Sequence, residues 1–466
     1  VFPLQVASEA TLPGGALVGI AVAAVAVLLF LIIKVRLHAF FSLIIVSLLT
    51  AIAAGVSAED LLDVMLGPFG ETLATVALLV GFGAVLGRLV ETSGGATVLA
   101  ESLIHRFGEK RAPLALSVAS LLFGFPIFLD AGFIVFLPII YTVARRLGGS
   151  LLLYALPSTG AFLTMHALVP PHPGPVAASG ILGADVGLVL VVALLVGIPT
   201  WYVAGYHLGL WLAKRSPELG VPNLLGEPPK DNPNPPAFGT ILLVLLLPLV
   251  LIFINTGLST LDAAGVLSTG SLFWQILIFI GNTPIALLIS TLLAMYLLVI
   301  RRKTGPLGGV LEDMVDDALA PVCSIILITG AGGMFGGVLT ATGIGGAMTQ
   351  GLDALGLPLI LVGFLIAVIM RVAQGSATVA GITAAGLMAP AVTAAGTMGP
   401  VALACIVVAI VAGAITFSHV NDSGFWLVSR FLGMSTTLAL KTWTVIATAI
   451  GFMAFGLVWI VYLFAS

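Results

Sequence analysis

The chain has 466 residues, 60% of them hydrophobic and only 8% charged, with a formal net charge of −3 and a mean hydropathy of +1.22. A soluble domain carries roughly 25% charged residues, so this chain cannot cover itself for water and reads as an all-α polytopic protein of the lipid bilayer. No basic patch points to nucleic acid, and Cys323 and Cys405, each within an apolar run, are expected to be buried thiols rather than a disulfide pair.

The opening stretch "VFPLQVASEATLPGG" has no basic region, so no signal peptide is expected in it. Apolar runs long enough to cross a bilayer follow at Ala16–Ile33, Ala39–Ala54, Thr72–Val90, Val186–Leu212, Thr240–Leu258, Pro284–Ile300, Ala318–Leu339 and Thr442–Phe464. Two further crossings, Leu151–Val169 and Val401–Phe417, run into polar sequence broken by proline or glycine. The segments Pro113–Ile140 and Pro358–Ala389 are apolar but interrupted in the middle, and are read as re-entrant hairpins that enter and leave by one face. Cytoplasmic loops collect Lys and Arg. With both termini outside, this layout puts every basic residue from Lys34 to Lys441 except Arg371 on one face, 16 of the 17.

Residues 216–239, "SPELGVPNLLGEPPKDNPNPPAFG", cannot pack as a helix and form a cytoplasmic linker between two halves. The halves, 1–215 and 240–466, align at an offset of about 252 residues. "EDLLD" (Glu59–Asp63) matches "EDMVD" (Glu312–Asp316), and "FGAVL" (Phe82–Leu86) matches "FGGVL" (Phe335–Leu339). "GGA" recurs at Gly94 and Gly345, Gly124–Pro138 falls on Gly375–Pro390, and His166 falls on His419. Five crossings per copy turn the second copy upside down, the inverted repeat of secondary transporters, whose site lies near the midplane where helices break. Each half then holds one hairpin, about 113–144 and 358–390, and one broken helix, about 151–183 and 401–432.

Backbone that leaves the helix at membrane depth survives only inside protein or beside a wet cavity, so the breaks mark the candidate site. They are "GFPIFLDAG" (Gly124–Gly132), "RVAQGSATVAG" (Arg371–Gly381), "HALVPPHPGP" (His166–Pro175) and "SHVNDSGF" (Ser418–Phe425). Asp130 admits two roles: a cap for the helix Ala131–Ile140, or a carboxylate that binds and releases a proton, because a low dielectric penalises its charged form. Arg371 follows a long apolar run and is either structural, paired with Asp130 or Asp422 or bonded to free carbonyls, or the anchor of an anionic substrate. Gly375, Ser376, Thr378 and Thr383 offer a close backbone and hydroxyls, where small-residue packing is the plainer account. His166, His172 and His419 are expected to bond carbonyls left free at the breaks, His172 being exposed to a cavity or partner, with a proton relay as the alternative. Asn421 and Asp422 can cap the next half-helix, whose N-terminus can face an anion. The acidic residues Glu59, Asp60, Asp63, Glu312, Asp313 and Asp316 read as solvated first-turn charges. The glycine clusters "GAGGMFGG" and "TGIGG" lack the Lys-Ser/Thr of a phosphate loop. No metal-ligand spacing and no catalytic set of an enzyme is visible, and no cofactor is implied beyond a coupling proton.

At these residues the sequence resembles the gluconate permease family, within the ion transporter superfamily of inverted-repeat carriers. The resemblance covers nearly the whole chain and rests on "FGAVLG", "FPIFLDAGF", "HALVPPHPGPVAA", "RVAQGSATVA" and "SHVNDSGFW". It implies a multi-pass protein of the bacterial inner membrane that takes up gluconate or a related small hydroxy acid with protons. Some members carry Glu where this chain has Asp130; others, including carriers for D-serine, resemble it with Asp. Sodium-coupled members of the superfamily carry Ser-Asn-Thr at their hairpin tips, a pattern missing here, which favours protons. Many superfamily relatives resemble dimers, so a homodimer is a further expectation. The resulting expectation is a symporter in which Arg371 or half-helix N-termini hold a carboxylate. Ser376, Thr378, Asn421 and the histidines bond its hydroxyls, and Asp130 carries the proton. The rivals are a D-serine or other organic-anion symporter, a channel, and an intramembrane enzyme.

Overall fold

The structure, a computed structural model, describes residues 12–222, 234–263, 271–302, 307–344, 347, 357–396, 398–419 and 422–465. These residues are helical, and no strand is assigned among them. In chain order the helices are α1 (Gly14–Leu29), α2 (Ala39–Ala53), α3 (Leu61–Thr92), α4 (Gly95–Phe107), α5 (Ala112–Phe123), α6 (Leu129–Leu147), α7 (Leu152–Leu168) and α8 (Pro173–Leu182). Then come α9 (Val186–Arg215), α10 (Phe238–Ala263), α11 (Leu272–Gly281), α12 (Thr283–Ile300), α13 (Leu307–Ala341) and α14 (Leu359–Gln374). The chain closes with α15 (Ala377–Ala394), α16 (Pro400–Ile415), α17 (Ser423–Phe431) and α18 (Thr436–Ala465).

Eight of the described helical stretches are long and apolar enough to cross a membrane. The first expected crossing is α1, continued by a π-helical turn Phe30–Lys34, the second is α2, one residue shorter than its apolar run, and α11 is an apolar helix that the hydropathy pattern did not mark. Both central helices start earlier than their apolar runs: α3 at Leu61, with Asp60 at its cap position, and α13 at Leu307. Glu312, Asp313 and Asp316 are exposed as expected, but they lie inside α13 rather than in its first turn.

α3 and α13 pack along each other, and the glycines of "GAGGMFGG" explain how. A Cβ added at Gly330 would stand 2.7 Å from the Phe69 ring, and one at Gly333 or Gly337 would run into Thr72 or Pro68 of α3. At spacings of three and four these positions share one face. Gly336, on another face, would meet the backbone of Gly386 on α15 at 3.1 Å. The cluster is thus a two-sided packing surface that lets α13 touch α3 and α15 at once.

Helix, break and helix recur at both aligned stretches. α5 stops at Phe123 and α6 begins after Phe128, while α14 stops at Gln374 and α15 begins after Ser376. α7 ends where Pro170, Pro171, Pro173 and Pro175 remove four donors within six residues. α16 ends at Ile415, and α17 resumes after Asp422. Phe123, Phe136 and Phe162, all fully buried, bind α5, α6 and α7 into one unit, with ring centroids 5.1 Å and 5.3 Å apart. Trp201 of α9 donates to Ser117 Oγ of α5 at 2.9 Å, and Ser117 donates to Pro157 O of α7 at 2.8 Å. In the second half Phe364 of α14 stacks on Phe455 of α18 at 4.0 Å.

The outer helices leave large apolar side chains exposed, such as Phe41, Leu195, Phe279 and Phe464, as a lipid-facing surface must. Of the two thiols, Cys405 is buried, but Cys323 is exposed, because its run forms part of a helix face rather than the core. Both are free. The first residues of the expected linker dock rather than dangle: Leu151 N donates to Leu219 O at 2.9 Å, and Leu219 N to Ser150 Oγ at 3.3 Å. Residues 223–233 lie outside the described part of the chain.

Candidate functional site

The break between α5 and α6 leaves carbonyls free at the end of one helix and N–H groups free at the start of the next. Two imidazoles meet them. His172 Nε2 donates to Gly124 O at 2.8 Å, and Leu129 N donates to His166 Nδ1 at 3.5 Å. The two rings lie 4.9 Å apart, each 6.0 Å from the ring of Phe128. The broken crossing α7–α8 therefore clasps the tip of the first break with one histidine on either side of its own break. His172 is buried rather than open to a cavity, because its nitrogen is needed at Gly124.

Gly87 of α3 seats the same tip: a Cβ there would lie 2.7 Å from Ile127 Cγ1 and 2.9 Å from Pro126 O. Gly132 lies against Phe162, where a Cβ would approach Cε1 to 2.7 Å. Asp130 stands in the first turn of α6, next to this contact.

The second break has its own solution. Gly375 ends α14 with φ +84°, a left-handed conformation that glycine adopts without strain. Its carbonyl accepts from Arg371, one turn back, and Ser376 Oγ accepts from Val379 N at 3.3 Å to cap α15. Arg371 is only 2% exposed, and its other terminal nitrogen pairs with Asp422 Oδ2. Asp422 caps α17 by accepting from Gly424 N at 2.9 Å. Its Oδ2 also accepts from Ser418, whose oxygen in turn accepts from Trp443 Nε1 at 2.7 Å. The chain Trp443–Ser418–Asp422–Arg371 thus ties α18, the break before α17 and the end of α14 together. Arg371 Nε is buried with no partner among the described residues.

Both breaks face one cavity of about 440 Å³. Ile127 and Phe128 line it from the first break, Ser376 and Thr378 from the second, and Arg371, Asp422, His166 and Trp443 complete its inner wall. At its more exposed end, Arg88 of α3 bridges Glu91 on its own helix at 3.1 Å and Asp317 on α13 at 3.2 Å. A buried guanidinium, hydroxyls and imidazole edges around a space of this size can hold a small hydroxylated anion. Among the described residues, no group of His, Cys, Asp and Glu side chains could hold a metal ion.

The whole span 16–464 matches the model of the GntP family of permeases. The chain belongs to that family. Relatives agree along their lengths. The chain is 39% identical to the inner membrane permease YgbN of Escherichia coli K12, over 95% of this chain and 98% of the relative. It is 35% identical to a gluconate permease of Pseudomonas aeruginosa, over 94% and 95%. It is 33% identical to the Gnt-II system L-idonate transporter of Escherichia coli K12, over 92% and 95%. Two solved structures share the fold. MtrF of Neisseria gonorrhoeae has a TM-score of 0.61 at 15% identity, over 90% of this chain and 94% of that one. The YdaH transporter of Alcanivorax borkumensis has 0.59 at 17%, over 88% and 90%. The protein is a multi-pass membrane permease, not an enzyme.

Of the residues singled out in the sequence, the permease brings Arg371, Ser376, Thr378, Asp422 and His166 to the cavity wall. Gly375, His172 and His419 are not among its lining residues and bond their own surroundings. His419 Nδ1 pairs with Phe417 O at 2.7 Å. Asn421 lies outside the described residues. Thr383 is buried, with no partner for its hydroxyl among the described residues. Arg88, Glu91, Asp317, Ser418 and Trp443 were not expected at the site. The sequence did not single out Arg88, Glu91 or Asp317 for the site, and only the fold shows that α3 and α13 deliver them to one opening.

Proposed function

We propose that this permease is a secondary active transporter that takes up gluconate, or a related small hydroxylated carboxylate, together with protons by alternating access. The observation that carries the reading is the buried Arg371 at the junction of the helix breaks, on the wall of a cavity that also presents Ser376 and Thr378. The guanidinium holds the carboxylate, the hydroxyls and His166 bond the polyol, and Asp130 in the first turn of α6 carries the coupling proton. Relatives named as gluconate and L-idonate carriers support this substrate class.

The halves are proposed to be inverted repeats. Their breaks recur at aligned positions, α5–α6 and α14–α15 entering and leaving by one face while α7–α8 and α16–α17 cross with an interruption. In this reading both termini face outward, and two copies form a dimer. A channel needs a continuous pore, whereas a cavity walled by two helix breaks suits a carrier. A second substrate has one specific observation in its favour. Asp422 beside Arg371 would suit an ammonium next to a carboxylate, as in D-serine. Proteoliposomes with an inward proton gradient test the reading. Saturable accumulation of labelled gluconate that dissipates the gradient is expected, and competition by L-idonate and D-serine ranks the substrates. Gluconate movement that fails to saturate, or ignores the gradient, sinks the symport.

A further inference from the structure

Arg371 is the buried cation expected to receive the substrate carboxylate, yet in the structure it already holds one. Its terminal nitrogens are taken by Gly375 O and Asp422 Oδ2, and Asp422 is itself only 7% exposed. Charge decides what must happen when a substrate arrives. The Arg371–Asp422 pair sums to zero, so a monoanion added beside it leaves one uncompensated negative charge in a buried site, a costly arrangement.

We infer that Asp422 is an internal stand-in for the substrate: the incoming carboxylate displaces it from Arg371, and Asp422 leaves the pair as the neutral acid. The inference rests on the reading that Arg371 holds the substrate. The balance is simple. One proton from solution goes to an Asp422 carboxyl oxygen, one guanidinium N–H contact moves from Asp422 to the substrate, and the site again sums to zero. No covalent bond other than O–H forms.

The surroundings allow this exchange. The Ser418 hydroxyl now donates to Oδ2, and it can turn to accept from a protonated carboxyl, while Trp443 Nε1 continues to hold its oxygen. Oδ1 stays on Gly424 N, so the cap of α17 survives a change of charge. Other groups that bear on Asp422 come from several elements. On the cavity wall, α7 gives His166 and α14 gives Arg371. At the exposed end, α3 gives Arg88 and Glu91, and α13 gives Asp317, together one positive and two negative charges. The first turn of α6 carries Asp130, and its Tyr141 hydroxyl donates to Phe431 O. His419 is in the same break as Asp422. Within α17 the only charge is Arg430, exposed in the last turn over the Trp426 ring, and α18 adds the exposed Lys441. Among the described side chains, Arg371 is the charged group hydrogen-bonded to Asp422.

The test is calorimetric titration of gluconate into the purified protein across pH, in buffers of different ionisation enthalpy, which counts protons taken up per gluconate bound. Affinity of the unaltered protein should fall about tenfold per pH unit above its midpoint, the slope of one linked proton. Asp422→Asn keeps a capping oxygen for Gly424 N. It should take up one proton fewer per gluconate and bind more tightly than the unaltered protein at high pH. An Asp422→Asn protein that takes up the same number of protons, or that folds but no longer binds gluconate, overturns the inference. Ser418→Ala gives an independent reading, because it removes a donor that favours the charged carboxylate. The pH at which affinity falls should then move upward, and an unmoved midpoint also overturns it. Arg371→Gln separates the two levels. If that variant binds gluconate with unaltered affinity, the reading beneath falls and takes the inference with it, whereas failure of Asp422→Asn alone leaves Arg371 as the anchor.

Discussion

Arg371 is held at both terminal nitrogens of its guanidinium, by the Gly375 carbonyl at the end of its own helix and by the Asp422 carboxylate of the break before α17. Removing one partner of a buried ion pair costs about 3–5 kcal/mol. Arg371→Gln should therefore lower thermal stability measurably and abolish gluconate binding, with helicity by circular dichroism showing that the protein still folds. Wild-type affinity in that variant would leave only the structural pair. Asp130 poses a separate question, since a charged carboxylate at membrane depth is expensive and should be neutral for part of the cycle. Asp130→Asn imitates the protonated form and cannot titrate. It should preserve exchange of labelled gluconate between two equal pools, yet lower the accumulation that a pH gradient drives, since only the proton linked to Asp422 would remain. Accumulation undiminished by the substitution would reduce Asp130 to a helix cap. At this scale the sequence was most informative where a polar residue interrupts an apolar run: Arg371 and Asp422 stood out for that reason. Ser418 and Trp443 did not, because a serine and a tryptophan in a helical protein need no special account until their hydrogen bond is seen.

The glycines act at the level of elements. Gly87 is one turn before Glu91 on α3 and admits the tip of the first break, with Pro126 O only 2.9 Å from where a Cβ would lie. The carbonyl is backbone and cannot turn aside, so Gly87→Val should push the tip off α3. Transport in proteoliposomes should fall by an order of magnitude or more with the protein still inserted, and a variant with normal uptake would show that the tip does not need this seat. Gly337→Leu makes a different expectation, because there the obstacle is Pro68 between two long helices. Overpacking a tight contact costs about 1–3 kcal/mol, read as a lower unfolding temperature rather than a selective loss of binding. Helix positions were legible from the hydropathy pattern, and the breaks from proline, glycine and buried charge. The short helix α11 was not, since a helix of ten residues falls below the length that marks a crossing, and "GAGGMFGG" revealed which motif it is not without revealing its two packing faces.

For the whole molecule the open question is how often the chain changes sides. α5 has 12 residues, a rise of about 18 Å, well short of a hydrocarbon layer of about 30 Å. Alone it cannot cross. If α5 and α6 together made a single crossing, Lys110 and Arg145 would lie on opposite faces and the concentration of basic residues on one side would be lost. If they form a hairpin, both return to the cytoplasm. Arg145, Asn234 and Asp262 are all exposed, so single cysteines there can be reached by a membrane-impermeant maleimide. The background must carry Cys323→Ser, because that thiol is exposed, while Cys405 is buried. In intact spheroplasts a cysteine at Asp262 should label at once, and cysteines at Arg145 and Asn234 only after the membrane is permeabilised. Inside-out vesicles should reverse the pattern. The deciding comparison is between single cysteines at Lys110 and Arg145, both exposed, since only α5 and α6 lie between them, and both should label only after permeabilisation. Should Lys110 and Arg145 label from opposite sides, α5 and α6 span the membrane as one interrupted crossing, and the inverted arrangement of the two halves is wrong.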